Sequence, residues 1–344
     1  MCRFDEKYSS GVNTISLSAF TELADNIFLQ GIESIPEVMR NSWLVKEMAI
    51  PQNTWNSRQF TEVDLEEYAS NKWEWTQSSI ARVQQWYTKT MTKKRIAADI
   101  DITYEMRMEG KNREVVDRLT SLWKLWPNRL DLDLTHRITF WESTTYTDKD
   151  WETVTITVWD WLALFSTAHT LTWSSSTFRN ILANNPQLSK GSLEWMEKLV
   201  VEETLNNLGE KMAMSYDTLF TTDDPNTINT AREILQSTAD ISSSNAWITN
   251  VYKWKYKHVI LPRLATTAAW AIDSTKNKRW GIASSTQSQF MLWIWESPRL
   301  KSPAAWNNWE DFSTDNWTYW IRAWYGITIP WARWVKVSYG TWVA

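Results

Sequence analysis

The chain is expected to fold as an α+β protein, and three observations predict it. Apolar residues recur at helical spacing through residues 102–140. Val154, Ile156 and Val158 alternate with threonines at the period of a strand. The helical and strand-like stretches then follow one another without a repeating βαβ order, and no internal repeat of solenoid length is present.

Taken in order, residues 1–50 read as an arm with helical pieces. Ser18 can cap a helix whose Phe20, Leu23, Ile27 and Phe28 share one face, and Pro36 suits the first turn of a short helix to Ser42. Residues 51–91 are polar, with strand-like pieces flanking a tip at Asn71 to Trp75. A two-stranded excursion of this length buries little of itself. Met106, Val115, Val116, Leu119 and Leu122 then mark one face of the longest helix. A break is expected near Trp126-Pro127, with a restart through Leu130, Leu134 and Ile138. A hairpin follows, its turn at Asp150-Trp151. Residues 166–190 read as loop, and a helix is predicted from Ser192 to Leu208. Asp217–Thr221 reads as a strand, and Asp224-Pro225 as a helix start, with Asp as cap and Pro in the first turn. Strands are predicted at Lys257–Leu261, Arg279–Ala283 and Gln289–Ile294, and two more within Thr318–Tyr339, turning near Pro330.

The composition carries one anomaly: 27 Trp and only 8 Gly in 344 residues. An ordinary protein has roughly 7% Gly, or about 24 in this length, so the excess of one residue nearly matches the deficit of the other. Position sharpens the point. Trp151 follows Asp150 between two strand-like runs, where Asp-Gly is the favoured turn pair. Trp161 follows Asp160, Trp309 follows Asn307-Asn308, and Trp55 stands within Asn53 to Asn56. Read as Gly, each becomes an ordinary turn signal. A UGA codon assigned to Gly in the source but translated as Trp would produce this text. On that reading Trp151, Trp161 and Trp309 are glycines, whereas Trp280, within Arg279–Ala283, is a real aromatic of a buried strand. Trp317 and Trp334 are expected to be genuine for similar reasons.

With the suspect tryptophans read as glycine, four segments resemble the major capsid proteins of tailed phages. They are residues 148–172 (DKDWETVTITVWDWLALFSTAHTLT), 200–240 (which need no change), 256–285 and 302–330. The similarity runs in order from about residue 75 to 340, while the first 70 residues share only the general layout. The resemblance implies the α+β fold common to these capsids and encapsulins, with no enzymatic activity. Its parts would be an N-terminal arm (1–50), an extended β-hairpin loop (51–91) and a peripheral domain with a long spine helix and a β-hairpin (92–189). An axial domain (190–310) and C-terminal strands (311–344) would complete it. It also implies partners: other copies in pentamers and hexamers, scaffold, portal and decoration proteins, and packaged double-stranded DNA. Assembly would occur in the bacterial host cytoplasm and the product would be the virion capsid. Some capsids of this fold crosslink a Lys to an Asn; Lys72 lies near the loop tip, but no partner is identifiable.

The residues themselves point to no chemistry. No catalytic, cofactor-binding or metal-binding residue is expected. His169 in Ser166 to His169 could serve a serine as base, yet no nucleophile elbow surrounds any serine, and a structural hydrogen bond is expected instead. Asp99/Asp101 and Asp131/Asp133 are spaced by two, which on a strand would put each pair on one face; solvated faces are expected. Trp324-Tyr325-Gly326 precedes strand residues where a nucleotide motif needs a helix. Cys2 is the only cysteine, which excludes an internal disulfide. The net charge of −4 carries no basic block, so DNA would be held by confinement. No secretion signal and no apolar run of about 18 residues is present, so no membrane contact is expected. Two other readings share these residues: an encapsulin-like compartment, and a literal Trp-rich glycan-binding module.

Overall fold

The computed structural model describes residues 37–49, 57–65, 75, 83–109, 112–171, 174–240, 248–301 and 316–342. Two four-stranded sheets and two apolar cores organise them. The first sheet contains β1 (Val45–Ala49), β4 (Lys94–Ile102), β12 (Phe290–Lys301) and β13 (Trp317–Thr328) in the order β1-β12-β13-β4. Only its β1–β12 pairing is parallel. The second contains β9 (Thr218–Thr221), β10 (Lys257–Ile260), β11 (Trp280–Ala283) and β14 (Val335–Ser338) in the order β10-β9-β11-β14.

A short helix α1 (Tyr104–Met108) leads into α2 (Asn112–Thr139), 28 residues long. The break expected at Trp126-Pro127 does not occur: Pro127 lies inside α2. A proline there removes a helix hydrogen bond and costs roughly 3 kcal/mol. The helix survives because Leu119, Leu122, Trp123, Trp126, Leu130, Leu134 and Ile138 are all buried in one core cluster. Packing overrides the local breaker. That cluster also takes Leu292 from β12 and Tyr319, Ile321 and Tyr325 from β13.

The second core lies under α3 (Lys190–Glu203) and α4 (Pro225–Gln236), with Leu193, Met196, Leu199, Ala231 and Ile234 against Leu219, Trp280 and Ile282. Ser189 and Ser192 form a capping box at the start of α3. The helix begins earlier and ends at Glu203, short of the expected Leu208, since residues 204–212 turn back on themselves. At α4 the expected cap is present: the Asp224 carboxylate accepts from the Thr227 amide at 3.0 Å, with Pro225 in the first turn. The predicted helix from Pro36 to Ser42 is instead a set of turns at 37–44, with Asn41 N donating to Glu37 O at 3.0 Å.

Three two-stranded ribbons remain. β2 (Ser57–Leu65) and β3 (Val83–Thr92) make the long hairpin within the polar stretch. β5 (Thr145–Thr147) and β6 (Thr153–Thr155) make the hairpin read from the threonine alternation, and β7 (His169–Thr170) pairs with β8 (Thr177–Phe178). The first sheet joins strands from residues 45–49, 94–102 and 290–328, and the second joins 218–283 to 335–338. The sheets are thus assembled across the divisions drawn at 190 and 311.

Trp151 closes the β5–β6 turn with φ +61° and is 88% exposed, and Trp161 has φ +63° and is 67% exposed. Trp280 and Trp334 are fully buried, with indole N–H groups donating to Pro186 O at 2.9 Å and Trp331 O at 2.7 Å. Trp317 is half-buried at the start of β13. Trp55, Trp309, Lys72 and the Ser18 helix lie outside the described residues.

Candidate functional site

The densest polar cluster sits where α2, β4, β13 and the β5–β6 hairpin meet. Arg129, on the buried side of α2, is 3.2 Å from Asp133 one turn on and 2.8 Å from Asp150 at the hairpin turn, and it also pairs with Asp148. Lys94 of β4 lies 3.4 Å from Asp133 and 2.9 Å from Glu152. The Tyr325 hydroxyl of β13 donates to Asp133. Asp148 also accepts from the Lys149 amide at 2.8 Å and the Trp270 indole at 3.0 Å.

The electrostatics follow from these contacts. Burial works against the Arg129 charge, but Asp133, Asp148 and Asp150 outweigh it and hold the guanidinium protonated. Burial would likewise raise Asp148, yet the Trp270 and Lys149 hydrogen bonds and the Arg129 charge keep its carboxyl below the usual range. Every charged member has an opposite partner. The cluster is a brace that fixes the hairpin and two strands onto the helix.

Beside it opens a cleft of about 410 Å³, walled by Thr88, Thr90, Thr153, Thr155 and Thr328. Lys89 reaches Thr157, its ammonium 2.6 Å from the carbonyl and 2.5 Å from the hydroxyl. Burial pushes this lysine down to about 8, and the nearby Arg137 charge adds to the effect. The cleft offers hydroxyls and a held cation, but no nucleophile paired to a base. A second buried lysine, Lys336 of β14, donates to Arg179 O at 2.8 Å and Glu203 O at 3.1 Å. Burial pushes it down to about 7 although Glu203 favours its charge.

The residues weighed from the sequence are not brought together. His169 is buried on β7, its Nδ1 2.7 Å from the Asp160 carboxylate and its ring stacked on Phe178. It makes the structural contact expected of it. Asp99 and Asp101 are exposed along β4, on one solvated face. Asp131 and Asp133 depart from expectation: both lie on α2 and both are buried. Positions two apart on a helix point to different sides, so each has its own partners. Asp131 accepts from the Met39 amide at 2.8 Å and lies 3.4 Å from Arg263. Burial raises its carboxyl despite both contacts. Gly326 sits inside β13, a strand. Among the described residues no group of three or more His, Cys, Asp or Glu is placed to hold a metal, and no helix is long and apolar enough to cross a membrane.

Sequence reasoning missed Arg129, Lys94 and Lys89. The helical spacing of Arg129 and Asp133 was a visible signal; the partners on other elements were not. Trp293 and Trp295 of β12 are buried and pack with Trp324 of β13; the strongly exposed tryptophans lie elsewhere. Trp43, Trp151, Trp161, Trp254 and Trp270 lie in separate turns with positive φ, which counts against an aromatic glycan platform.

No protein-family model and no curated protein matches the chain. Among solved structures it is similar to the capsid of Ralstonia phage GP4, at 11% identity and a TM-score of 0.48, covering 86% of each chain. It is similar to the procapsid of bacteriophage JBD30 at 9% identity and a TM-score of 0.46, covering 94% of this chain and 76% of that one. It is similar too to a virus-like particle from Pyrococcus furiosus, at 11% identity and a TM-score of 0.46, covering 92% and 98%. These likenesses are in chain path alone.

Proposed function

We propose that the chain is the major capsid subunit of a tailed phage or prophage, a structural protein that assembles into an icosahedral shell around double-stranded DNA. The ordered resemblance of residues 75–340 to such subunits supports it. The observation that carries it in the structure is the β2–β3 hairpin. Strands of nine and ten residues pair with each other, and near the base, at residue 91, β3 packs against β13 while Lys89 reaches Thr157. At that base Phe60 and Met91 meet Trp293. A lone two-stranded ribbon is marginal in water, so the rest of its length calls for another surface, and a second copy of the subunit supplies one.

On this reading the arm, extended loop, peripheral domain, axial domain and C-terminal strands keep the sequence boundaries given above, with the first sheet shared between distant segments. The buried α2 brace and the paired sheets would keep the subunit rigid, while many symmetry-repeated contacts, each weak, hold the shell. Pentamers and hexamers, scaffold, portal and decoration partners, confined DNA and assembly in the host cytoplasm belong to this proposal. The test is light scattering and electron microscopy of purified protein with glycine at the suspect turn positions. Closed shells are expected; a protein that stays monomeric under all assembly conditions sinks the reading. Genes for a portal, a protease and a terminase beside this one would favour the phage, and a cargo-enzyme gene would favour a compartment.

A further inference from the structure

The hydrogen bonds of four turns place one residue each in the same backbone role. In the turn at 206–210, Gly209 N donates to Asn206 O at 3.1 Å and Asn206 N to Glu210 O at 2.8 Å, with Gly209 at φ +84°. In the turn at 148–152, Trp151 N donates to Asp148 O at 2.9 Å and Asp148 N to Glu152 O at 2.9 Å. The turn at 158–162 repeats it, with Trp161 N to Val158 O and Val158 N to Leu162 O, both 3.1 Å. The turn at 267–271 repeats it again, with Trp270 N to Thr267 O at 3.0 Å and Thr267 N to Ala271 O at 2.8 Å. Each is a tight turn closed by a left-handed residue, the position glycine fills because it has no Cβ. One of the four has the glycine. The other three have tryptophan, at φ +61°, +63° and +68°.

Beyond these turns, Trp43 and Trp254 stand at φ +65° and +61°. Among the described residues the non-glycine positions with positive φ are these five tryptophans plus Asn184 and Asn185. Asparagine tolerates that region; a bulky aromatic is an outlier there. Chance placement of tryptophan does not select one backbone conformation.

We infer that Trp43, Trp151, Trp161, Trp254 and Trp270 are glycine in the working protein, supplied by UGA codons that the source reads as Gly. The backbone thus adds Trp43 and Trp254, which the sequence left unmarked, and singles out Trp270 within the 256–285 segment. It also separates them from Trp280 and Trp334, which lie in extended or ordinary backbone, fully buried, with satisfied indoles. Trp270 is the demanding case, because its indole donates to Asp148 and lies beside Arg129. Asp148 retains Arg129 and the Lys149 amide without it, so glycine leaves no orphaned charge.

The inference does not depend on the shell reading, and the test keeps the two apart. Protein isolated from its own host is cut at acidic residues and its peptides are sequenced by mass spectrometry. Glycine is expected at 43, 151, 161, 254 and 270, with tryptophan at 280. Tryptophan at the three turn positions overturns the inference. A second measurement uses recombinant protein made with tryptophan throughout. Replacing Trp151, Trp161 or Trp270 singly by Gly should raise the midpoint of thermal unfolding, whereas Trp280→Gly should lower it. Lower midpoints for the three turn variants would defeat the backbone argument. Glycine peptides from a protein that never assembles would uphold this inference and sink the shell reading.

Discussion

His136 is buried on α2 with its Nε2 3.0 Å from the Thr266 hydroxyl and its ring edge-on to Phe140. Burial pushes its imidazole down to about 4, although Asp133 and Asp148 favour the charge. The unfolded chain takes up this proton near its ordinary 6.5, while the native chain resists until about 4. Between those values the unfolded state binds more protons, so native stability falls as the pH drops. The slope reaches at most about 1.4 kcal/mol per pH unit. Denaturant midpoints at pH 7 and pH 5 check it: His136→Gln, which can keep the Thr266 contact, should lose less stability over that interval. An unchanged difference between the two pH values would remove His136 as the cause.

At the scale of elements, the brace on α2 makes a sharper prediction. Arg129→Met leaves Asp133 and Asp148 buried without their main cation, and breaking such a pair costs roughly 3–5 kcal/mol. The exposed Arg118–Glu114 pair on the same helix is worth about 1 kcal/mol at most, so Arg118→Met is the control. Urea unfolding of the two variants distinguishes them, and equal losses would show that the brace is no more than a surface ion pair. Much of the secondary structure was legible before any coordinates. The Asp224-Pro225 start, the β5–β6 hairpin and the strands near 218, 257, 280 and 335 all depend on residues adjacent in sequence. Pro127 misled because the burial of Leu122, Leu130 and Leu134 decides the helix there, and burial is not a local property. The brace was illegible for the same reason: Arg129 finds Asp148 from the hairpin and shares Asp133 with Lys94 of β4. His169, read as a loop residue, lies on β7, while the one face shared by Asp99 and Asp101 needs only the period of a strand.

For the whole molecule, the proposed function predicts that the fold and its long hairpin are separable. Thr61 pairs with Thr88 across β2 and β3, so joining those two positions by Asn-Gly, a favoured two-residue turn, removes residues 62–87. The packing of Phe60 and Met91 against Trp293 at the base is retained. The shortened protein should unfold at nearly the same temperature as the parent and fail to close shells. Loss of the fold would mean that residues 62–87 support their own chain instead of a neighbour.

The first four-stranded sheet joins strands far apart in sequence, and the second adds a late strand to a nearer set. Val45 lies opposite Phe290, Asp101 opposite Thr318, and Gly281 opposite Val337. A ribosome delivers these partners in sequence order, so β4 waits for β13 until more than two hundred further residues have been made. Such non-local pairing is slow to form. Neither sheet is therefore finished until β13 and β14 have been made. A fragment that ended before residue 317 would lack β13 and β14, leaving β4 without β13 beside it and β11 without β14.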